Sequence, residues 1–226
     1  MTKFTSNTDW EREIIHVLGE HSGKIYYQLI NKIIGLNLEW NTYKVLFIDN
    51  EENVDLMNKV SSYIFFVFQK NLRNELALNI IRLTDPPQTG KYLNISIPLL
   101  QRSLKENNFD VKTQKEIQLQ MDWIIKKLTP PLRELRNKII SHNDYETILG
   151  KRSTQDKITN EIFKHLIHSL NNLINSINFK LFNSKIYFDN DNIPGGANQL
   201  IAKLQLWDRA NSINIERRRN GEEPII

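Results

Sequence analysis

Apolar residues recur roughly every three to four positions along most of the 226-residue chain,. This period places them on one side of an α-helix, whereas a half-buried strand alternates apolar and polar residues. The pattern predicts an all-α protein: an up-and-down helical bundle of four to five long helices, with short extra helices and a C-terminal extension. The long helices are predicted over about residues 9–34, 54–83, 113–128, 129–142 and 154–180,.

Three features complicate this pattern. Ser22-Gly23 is a weak point in the first long helix, and a kink in this helix would lie there,. The stretch Trp40–Ile48 fits either a short helix or a strand, and we interpret it as helix because no second strand candidate lies nearby. In the second long helix, aromatic side chains occur nearly all round the axis, which predicts that they are buried on several sides. These side chains are Tyr63, Phe65, Phe66 and Phe68.

The segment Asp85–Gly90 contains two consecutive prolines and ends the second long helix, because proline lacks the amide hydrogen that a helix interior needs. It is predicted to be a loop, followed by a short extended piece over Asn94–Pro98. Ser96 is a candidate N-cap for a short helix that begins near Pro98 and runs to about residue 105. The simplest interpretation of the segment is a plain connection between helices.

The pattern changes after Phe182. An irregular or extended linker follows, and Pro194-Gly195-Gly196 precedes a helix predicted over about residues 197–211. We therefore divide the chain into a helical bundle, residues 1–182, and a linker with a C-terminal helical extension and a basic tail, residues 183–226.

Charge and cysteine content narrow the classes of function. A formal net charge of +4 and a pI near 9.1 favour an acidic partner, of which nucleic acid is the commonest,. Arg217–Arg219 either contact a phosphate backbone or form a solvated helix end. The second interpretation is favoured, because three adjacent side chains point in different directions on a helix. The absence of cysteine excludes disulfides, thiolate metal sites and a cysteine nucleophile, and it suits a reducing cytoplasm,.

Further classes are excluded by other features. The longest dense apolar run, Tyr63–Phe68, is far shorter than the roughly 20 residues that span a bilayer, and the N-terminal MTKFTSNTDW lacks the build of a secretory signal,. We therefore expect a cytoplasmic protein without a membrane partner. Glycine-rich phosphate loops, HExxH pairs, nucleophile elbows and clustered metal carboxylates do not occur in the sequence,. No metal or cofactor is expected.

The stretch Leu132–Tyr145, LRELRNKIISHNDY, carries the candidate chemistry. Thr129 is a candidate N-cap, and Pro130 suits the first helical position, where its missing amide hydrogen is no loss. A helix is therefore predicted to begin here and to end near His142.

On a helical wheel, Leu132, Leu135 and Ile139 form one apolar stripe, with Arg136 on one edge and His142 on the other,. Arg136 and His142 lie roughly 9 Å apart along the helix axis, which is too far for a hydrogen bond. Either a bound group or a second copy of the helix must bridge them.

The order Arg136-Asn137, four spacer residues and His142 resembles the signature of the HEPN superfamily of helical RNases and nucleotide-binding proteins. In that signature an arginine and a polar residue precede the histidine by a short, variable spacer. The following Asn143-Asp144 is similar to the form found in the abortive-infection group of the superfamily. A proline-bearing loop followed by Asn-x-Ser-Ile, here Asn94–Ile97, also resembles that group. The resemblance covers about residues 8–182.

The resemblance implies a metal-independent endoribonuclease in which two protomers of a homodimer bring their motifs to one cleft. Its substrate would be RNA, and it would act as a toxin or phage-defence effector, with an antitoxin or another protein as partner. His142 would transfer protons, because an imidazole titrates near neutral pH. Arg136 would stabilise the negative charge that develops on the phosphate, and Asn137 would orient the phosphate or fix the tautomer of His142.

Three further residues of the motif are assigned to substrate binding: Lys138, Ser141 and Asp144. In family members with a tyrosine at the second position after the histidine, nucleotidylation of that tyrosine silences the enzyme. Tyr145 stands three positions after His142, so this regulation is not carried over.

Two other functions stay open. The first is a non-catalytic helical module that binds a nucleotide, RNA or protein through the same cleft, and the second is a purely structural dimer of long helices. In a structural interpretation of the motif, Arg136 pairs with Glu134, Asp144 or Glu146, and His142 caps a helix end.

Overall fold

A computed structural model of the protein describes residues 7–104, 110–137, 158–188 and 193–225. Within these ranges it contains eight α-helices, a π-helix before α6 and a two-stranded antiparallel hairpin, so the all-α prediction is confirmed. The elements are α1 (Asn7–Leu18), α2 (Glu20–Phe47), α3 (Glu51–Thr84), β1 (Gln88–Thr89), β2 (Tyr92–Leu93), α4 (Ile97–Leu104), α5 (Val111–Trp123), the π-helix (Ile124–Leu128), α6 (Pro130–Leu135), α7 (Asn160–Phe182) and α8 (Ala197–Arg219).

The first predicted long helix is two helices, and the break lies at Gly19 rather than at Ser22-Gly23. Gly19 has a left-handed φ of 77°, a conformation that glycine adopts at little cost,. Gly23 lies inside α2 and serves close packing, because a Cβ there would lie 2.7 Å from the Cα of Ile15 in α1. The predicted weak point is therefore a position of close contact between α1 and α2.

Helices α2 and α3 are longer than predicted. The ambiguous stretch Trp40–Ile48 is helical through Phe47 and continues α2, which confirms its interpretation as helix. Helix α3 begins at Glu51, three residues before the predicted start, and the side chain of Asn50 accepts the amide hydrogen of Glu52 at 2.8 Å,. Ser61 has non-helical backbone angles and kinks α3, a feature that the apolar pattern does not reveal.

Contacts divide the chain into two compact units. Unit 1 comprises residues 1–37 and 74–188, and unit 2 comprises residues 38–73 and 189–226. The predicted division into residues 1–182 and 183–226 stays a prediction. None of the described helices is both long and apolar enough to cross a membrane.

Apolar side chains of α2, α3 and α7 form a large part of the core of unit 1. Tyr26 is completely buried, and its hydroxyl donates to the carbonyl of Ile174 at 3.2 Å, so its polar end is satisfied,. Asn37 and Asn171 exchange two amide hydrogen bonds of 2.8 Å. Other core residues are Leu29, Ile30, Ile33, Leu76, Ile80, Leu170, Leu173 and Ile177.

Unit 2 has a smaller core, in which Leu46, Met57 and Phe65 pack with Ile201 of α8. The prediction that the whole aromatic cluster of α3 is buried is wrong. Phe65 is 8% exposed, but Tyr63, Phe66 and Phe68 are 74%, 61% and 49% exposed. The reason is that the core cluster packs on the side of α3 that carries Phe65, while the adjacent aromatic positions point elsewhere on the helix,.

The C-terminal helix α8 extends beyond its predicted end, so Arg217–Arg219 form its last turn. Arg218 and Arg219 are exposed, and Arg217 lies 3.3 Å from Glu222 and donates to the carbonyl of Glu223 at 2.7 Å. The favoured interpretation of these arginines as a solvated helix end agrees with this exposure.

Candidate functional site

Helix α6 carries the first part of the predicted motif and begins where the sequence predicts. Thr129 occupies the N-cap position and Pro130 the first helical position. The cap differs from the prediction in its chemistry, because the hydroxyl of Thr129 donates to the carbonyl of Ile125 at 2.7 Å and accepts no amide hydrogen of α6. The amide of Thr129 donates to Ile124 at 3.2 Å, so the π-helix leads directly into α6,.

Two leucines fix the orientation of α6. Leu132 and Leu135 are 0% and 4% exposed, which confirms the first two positions of the predicted apolar stripe. Burial of both side chains places the next residue, Arg136, at the edge of the buried face, where its side chain is 30% exposed. The third stripe position, Ile139, lies outside the described residues.

The guanidinium of Arg136 is held on two sides. Its Nη1 lies 3.4 Å from Oδ1 of Asp85, and its Nε donates to Oδ1 of Asn137 at 3.0 Å. Asp85 is 25% exposed and Asn137 is exposed, so the cluster borders solvent. Within the described part of the chain, the second terminal nitrogen of Arg136 makes no hydrogen bond. A guanidinium in this state can still bind a phosphate oxygen.

A second arginine, one turn earlier on α6, binds the end of α3. Nη2 of Arg133 donates to the carbonyl of Thr84 at 2.5 Å and lies 3.3 Å from its hydroxyl. The last carbonyls of a helix have no partner within it and carry partial negative charge. Arg133 therefore binds the C-terminal carbonyl of α3 and offsets its partial negative charge. Arg136 pairs with Asp85, the residue directly after α3. The two arginines fix α6 against this end of α3.

The structure places two of the six predicted site residues, Arg136 and Asn137, and brings them into contact. The other four lie outside the described residues, as does Tyr145: these four are Lys138, Ser141, His142 and Asp144. The predicted separation of Arg136 and His142 and the predicted end of the motif helix therefore stay predictions.

Sequence reasoning missed Asp85 and Arg133. The structural interpretation of the motif named Glu134, Asp144 or Glu146 as a partner of Arg136, and Asp144 and Glu146 lie outside the described residues. The structure pairs Arg136 with a carboxylate 51 residues earlier, which the sequence did not suggest. Two signals in the sequence pointed to this region: the spacing of Arg133 and Arg136 by one helical turn, and the acidic residue directly before two prolines.

Positive charge is concentrated in the segments of unit 1, which contain the motif. They hold 21 of the 30 lysines and arginines and 15 of the 26 aspartates and glutamates. Unit 2 has a slight excess of acidic residues. The excess charge favours an anionic ligand at unit 1. Among the described residues, no group of three or more histidine, aspartate or glutamate side chains is placed to hold a metal ion.

A comparison with models of protein families matches residues 20–203 to the AbiU2 family of HEPN domains. The chain belongs to this family. The match covers more than half of the chain and includes the whole motif from Arg136 to His142, so the HEPN resemblance seen in the sequence is confirmed. Neither the curated proteins nor the solved structures contain a significant match.

Proposed function

We propose that this AbiU2 domain is a metal-independent endoribonuclease of the HEPN type. The observation that carries the proposal is the placement of Arg136, the arginine of the HEPN-like motif in the sequence. Asp85 and Asn137 hold it directly after α6, at the border of solvent. A guanidinium that is fixed but 30% exposed is suited to bind a phosphate that arrives from solvent,. The excess of basic residues in unit 1 supports the same ligand,.

The proposed reaction uses the RNA itself as nucleophile. The 2′-oxygen of one nucleotide attacks the adjacent phosphorus, a bond from that oxygen to phosphorus forms, and the bond from phosphorus to the 5′-oxygen breaks. One proton leaves the 2′-hydroxyl and one is added to the 5′-oxygen, so the products are a 2′,3′-cyclic phosphate and a 5′-hydroxyl. His142 is assigned to proton transfer, since an imidazole side chain can both accept and donate a proton near neutral pH.

Arg136 is assigned to the charge on the phosphate. The two non-bridging oxygens carry more negative charge in the transition state than in the substrate, so a fixed guanidinium stabilises the transition state more strongly. Asn137 accepts from Nε of Arg136 and thereby restricts its rotation. Lys138, Ser141 and Asp144 are assigned to substrate binding from the motif.

We further propose that the working enzyme is a homodimer. Arg136 and His142 lie roughly 9 Å apart along one ideal helix, so a motif from a second protomer would complete the site around one phosphodiester. An RNA-cleaving protein of this kind would act as a toxin or phage-defence effector, under the control of an antitoxin or another partner protein. Light scattering at the concentration used for cleavage tests the dimer, and a monomer that cleaves RNA would contradict it.

The test of the activity is RNA cleavage in the presence of EDTA. Wild-type protein is expected to yield products that end in a 2′,3′-cyclic phosphate, while Arg136→Ala and His142→Ala abolish cleavage and leave the melting temperature nearly unchanged. Arg82→Ala is the matched control, because Arg82 is an arginine of unit 1 that is 57% exposed and paired with Glu75 at 2.7 Å. If the two motif variants unfold, the motif is structural. RNA binding without cleavage, weakened by the same substitutions, would instead indicate a non-catalytic binding module.

A further inference from the structure

The hairpin between α3 and α4 has no assigned role in the reaction. Its strands pair in antiparallel register, with Gln88 opposite Leu93 and Thr89 opposite Tyr92. Gly90 and Lys91 form the two-residue connection, and Gly90 has a positive φ of 58° that such tight turns require,. The sequence predicts a loop here, and the structure shows that the loop has a defined fold.

Side chains hold this hairpin in shape. An isolated two-stranded hairpin is marginally stable, so additional bonds are needed. Asn94 supplies three of them. Its backbone N–H donates to the carbonyl of Pro87 at 3.0 Å, and its side-chain amide donates to the carbonyl of Pro86 and to the hydroxyl of Thr89, both at 2.8 Å. The side chain of Gln88 donates to the carbonyl of Gly90 at 2.7 Å.

The hairpin presents a cation and an aromatic ring to solvent. Tyr92 is 68% exposed, and the ammonium group of Lys91 lies 5.4 Å from the centre of its ring. Leu93 beside it is 55% exposed. Neither Lys91 nor Tyr92 is buried in the core, so the stability of unit 1 does not explain their presence. An exposed ring stacks on a nucleobase, and an adjacent ammonium group binds a phosphate.

The hairpin is close to the proposed catalytic arginine along the chain. It begins directly after Asp85, Pro86 and Pro87, and Asp85 contacts Arg136. Thr89 lies four residues after Asp85 and opposite Tyr92, so the Cα atoms of Asp85 and Tyr92 are at most about 20 Å apart,. A single strand of RNA bound at Arg136 spans this distance within a few nucleotides.

We infer that Lys91 and Tyr92 form a binding site for an unpaired RNA nucleotide that flanks the phosphate held by Arg136. This inference rests on the proposed function for its ligand. Tyr92 stacks on the base, which tolerates any sequence, and Lys91 contacts a neighbouring phosphate. The occupant is RNA rather than a protein because the pair offers a cation to an anionic chain, and unit 1 as a whole has an excess of basic residues.

Binding is measured separately from cleavage, with a fluorescent single-stranded RNA whose sugars are all 2′-O-methylated. This probe lacks the nucleophile and cannot be cut. Tyr92→Ala is expected to weaken binding about fivefold to 150-fold, the effect of removing one stacked base, whereas Tyr92→Phe keeps the ring and the affinity. Lys91→Gln is expected to lower the slope of log affinity against log salt by about 0.7, the value for one phosphate contact on a single strand. Tyr187→Ala is the matched control, because Tyr187 is 91% exposed elsewhere in unit 1.

The outcomes separate this inference from the proposed function. If Tyr92→Ala binds the probe like the wild type, the hairpin site is refuted even where the wild-type protein cleaves ordinary RNA, and a role in protein contact takes its place. If Tyr92→Ala and Tyr187→Ala weaken binding equally, the effect is not specific and the site is likewise refuted. Weakened binding by Tyr92→Ala in a protein that cuts no RNA supports the hairpin site and refutes only the catalytic proposal. A wild-type protein that binds no probe refutes the hairpin site.

Discussion

Nη1 of Arg136 lies 3.4 Å from Oδ1 of Asp85, and 51 residues separate the two in the chain. Both side chains are partly exposed, at 30% and 25%. An ion pair with this exposure stabilises a protein by less than about 1 kcal/mol. Its main effect is on the orientation of the guanidinium, which the carboxylate and Asn137 hold from different sides.

Asp85→Asn is therefore expected to change catalysis more than stability. The turnover number for RNA cleavage should fall about tenfold to a hundredfold, because a guanidinium that is no longer held spends less time in the productive geometry. KM should not rise, since the loss of a competing carboxylate leaves the arginine at least as attractive to a phosphate. Steady-state kinetics on a defined RNA measure both quantities.

The control for this variant is Asp122→Asn. Asp122 is 34% exposed and lies 3.1 Å from Lys126, in an ion pair that has no place in the proposed site. It should leave turnover and KM unchanged. Equal turnover in Asp85→Asn and wild-type protein would show that Asp85 does not position Arg136.

Arg133→Ala and Arg136→Ala are expected to differ in stability, although the two arginines are only three residues apart in the sequence. Arg133 satisfies the carbonyl of Thr84, a buried residue at the end of α3, so its loss should cost about 1–3 kcal/mol of unfolding free energy,. Loss of Arg136 should cost less than about 1 kcal/mol, since its ion pair is partly exposed,. Urea unfolding at neutral pH gives both values, and the opposite order would mean that Arg136 is the structural residue.

Two adjacent phenylalanines of α3 provide a test of the core of unit 2. Phe65 packs with Leu46 and Ile201, so Phe65→Ala should lower the unfolding free energy by about 3–5 kcal/mol,. Phe66 is 61% exposed, and Phe66→Ala should change it by less than about 0.5 kcal/mol,. The pair is matched in residue type and helix position, so similar losses in chemical unfolding would contradict the assignment of Phe65 to the core.

The burial of Tyr26 leads us to expect that the protein loses stability in alkaline solution. Burial raises the pKa of its phenol well above the ordinary value of 10.0, so the folded protein keeps it neutral where the unfolded chain ionises it,. The contribution of this group to stability is complete below about pH 10 and is lost as the pH rises further, at up to about 1.4 kcal/mol for each pH unit.

Tyr26→Phe removes both the titration and a hydrogen bond to Ile174. The variant should be about 1 kcal/mol less stable than the wild type at neutral pH. The difference in unfolding free energy between the two proteins should narrow above about pH 10, because only the wild type loses stability when the phenol of its unfolded chain ionises. Unfolding free energies measured across this range check the prediction, and a constant gap would show that Tyr26 does not titrate on unfolding.

The features that the sequence alone predicted depend on residues that are close together in the chain. Pro130 starts α6 as expected because a missing amide hydrogen is tolerated only in the first turn, and Ser96 accepts the amide hydrogen of Leu99 at 3.4 Å as a predicted cap,. Leu132 and Leu135 are buried as their helical spacing indicates. The HEPN motif could be found for the same reason, since Arg136 to Asp144 span nine consecutive positions of the sequence.

The features that sequence missed depend on residues far apart in the chain. Asp85 could not be assigned to Arg136 because nothing local connects the end of α3 with α6. A glycine favours a helix break both at Gly19 and at Ser22-Gly23. Only the packing of α1 against α2 shows that the chain turns at Gly19, whereas Gly23 allows close contact between the helices. The aromatic residues of α3 are equally apolar, and their different exposure depends on where Ile201 packs.

The core of unit 2 joins residues that a linear view of the chain separates. Leu46, Met57 and Phe65 come from the first third of the sequence, and Ile201 comes from its last helix. A recombinant fragment that stops shortly after Phe182 would leave those three side chains facing water on the side that α8 covers. Such a fragment would expose an apolar surface through which its copies associate. If it were inactive after expression, the cause would be aggregation rather than the loss of a functional tail.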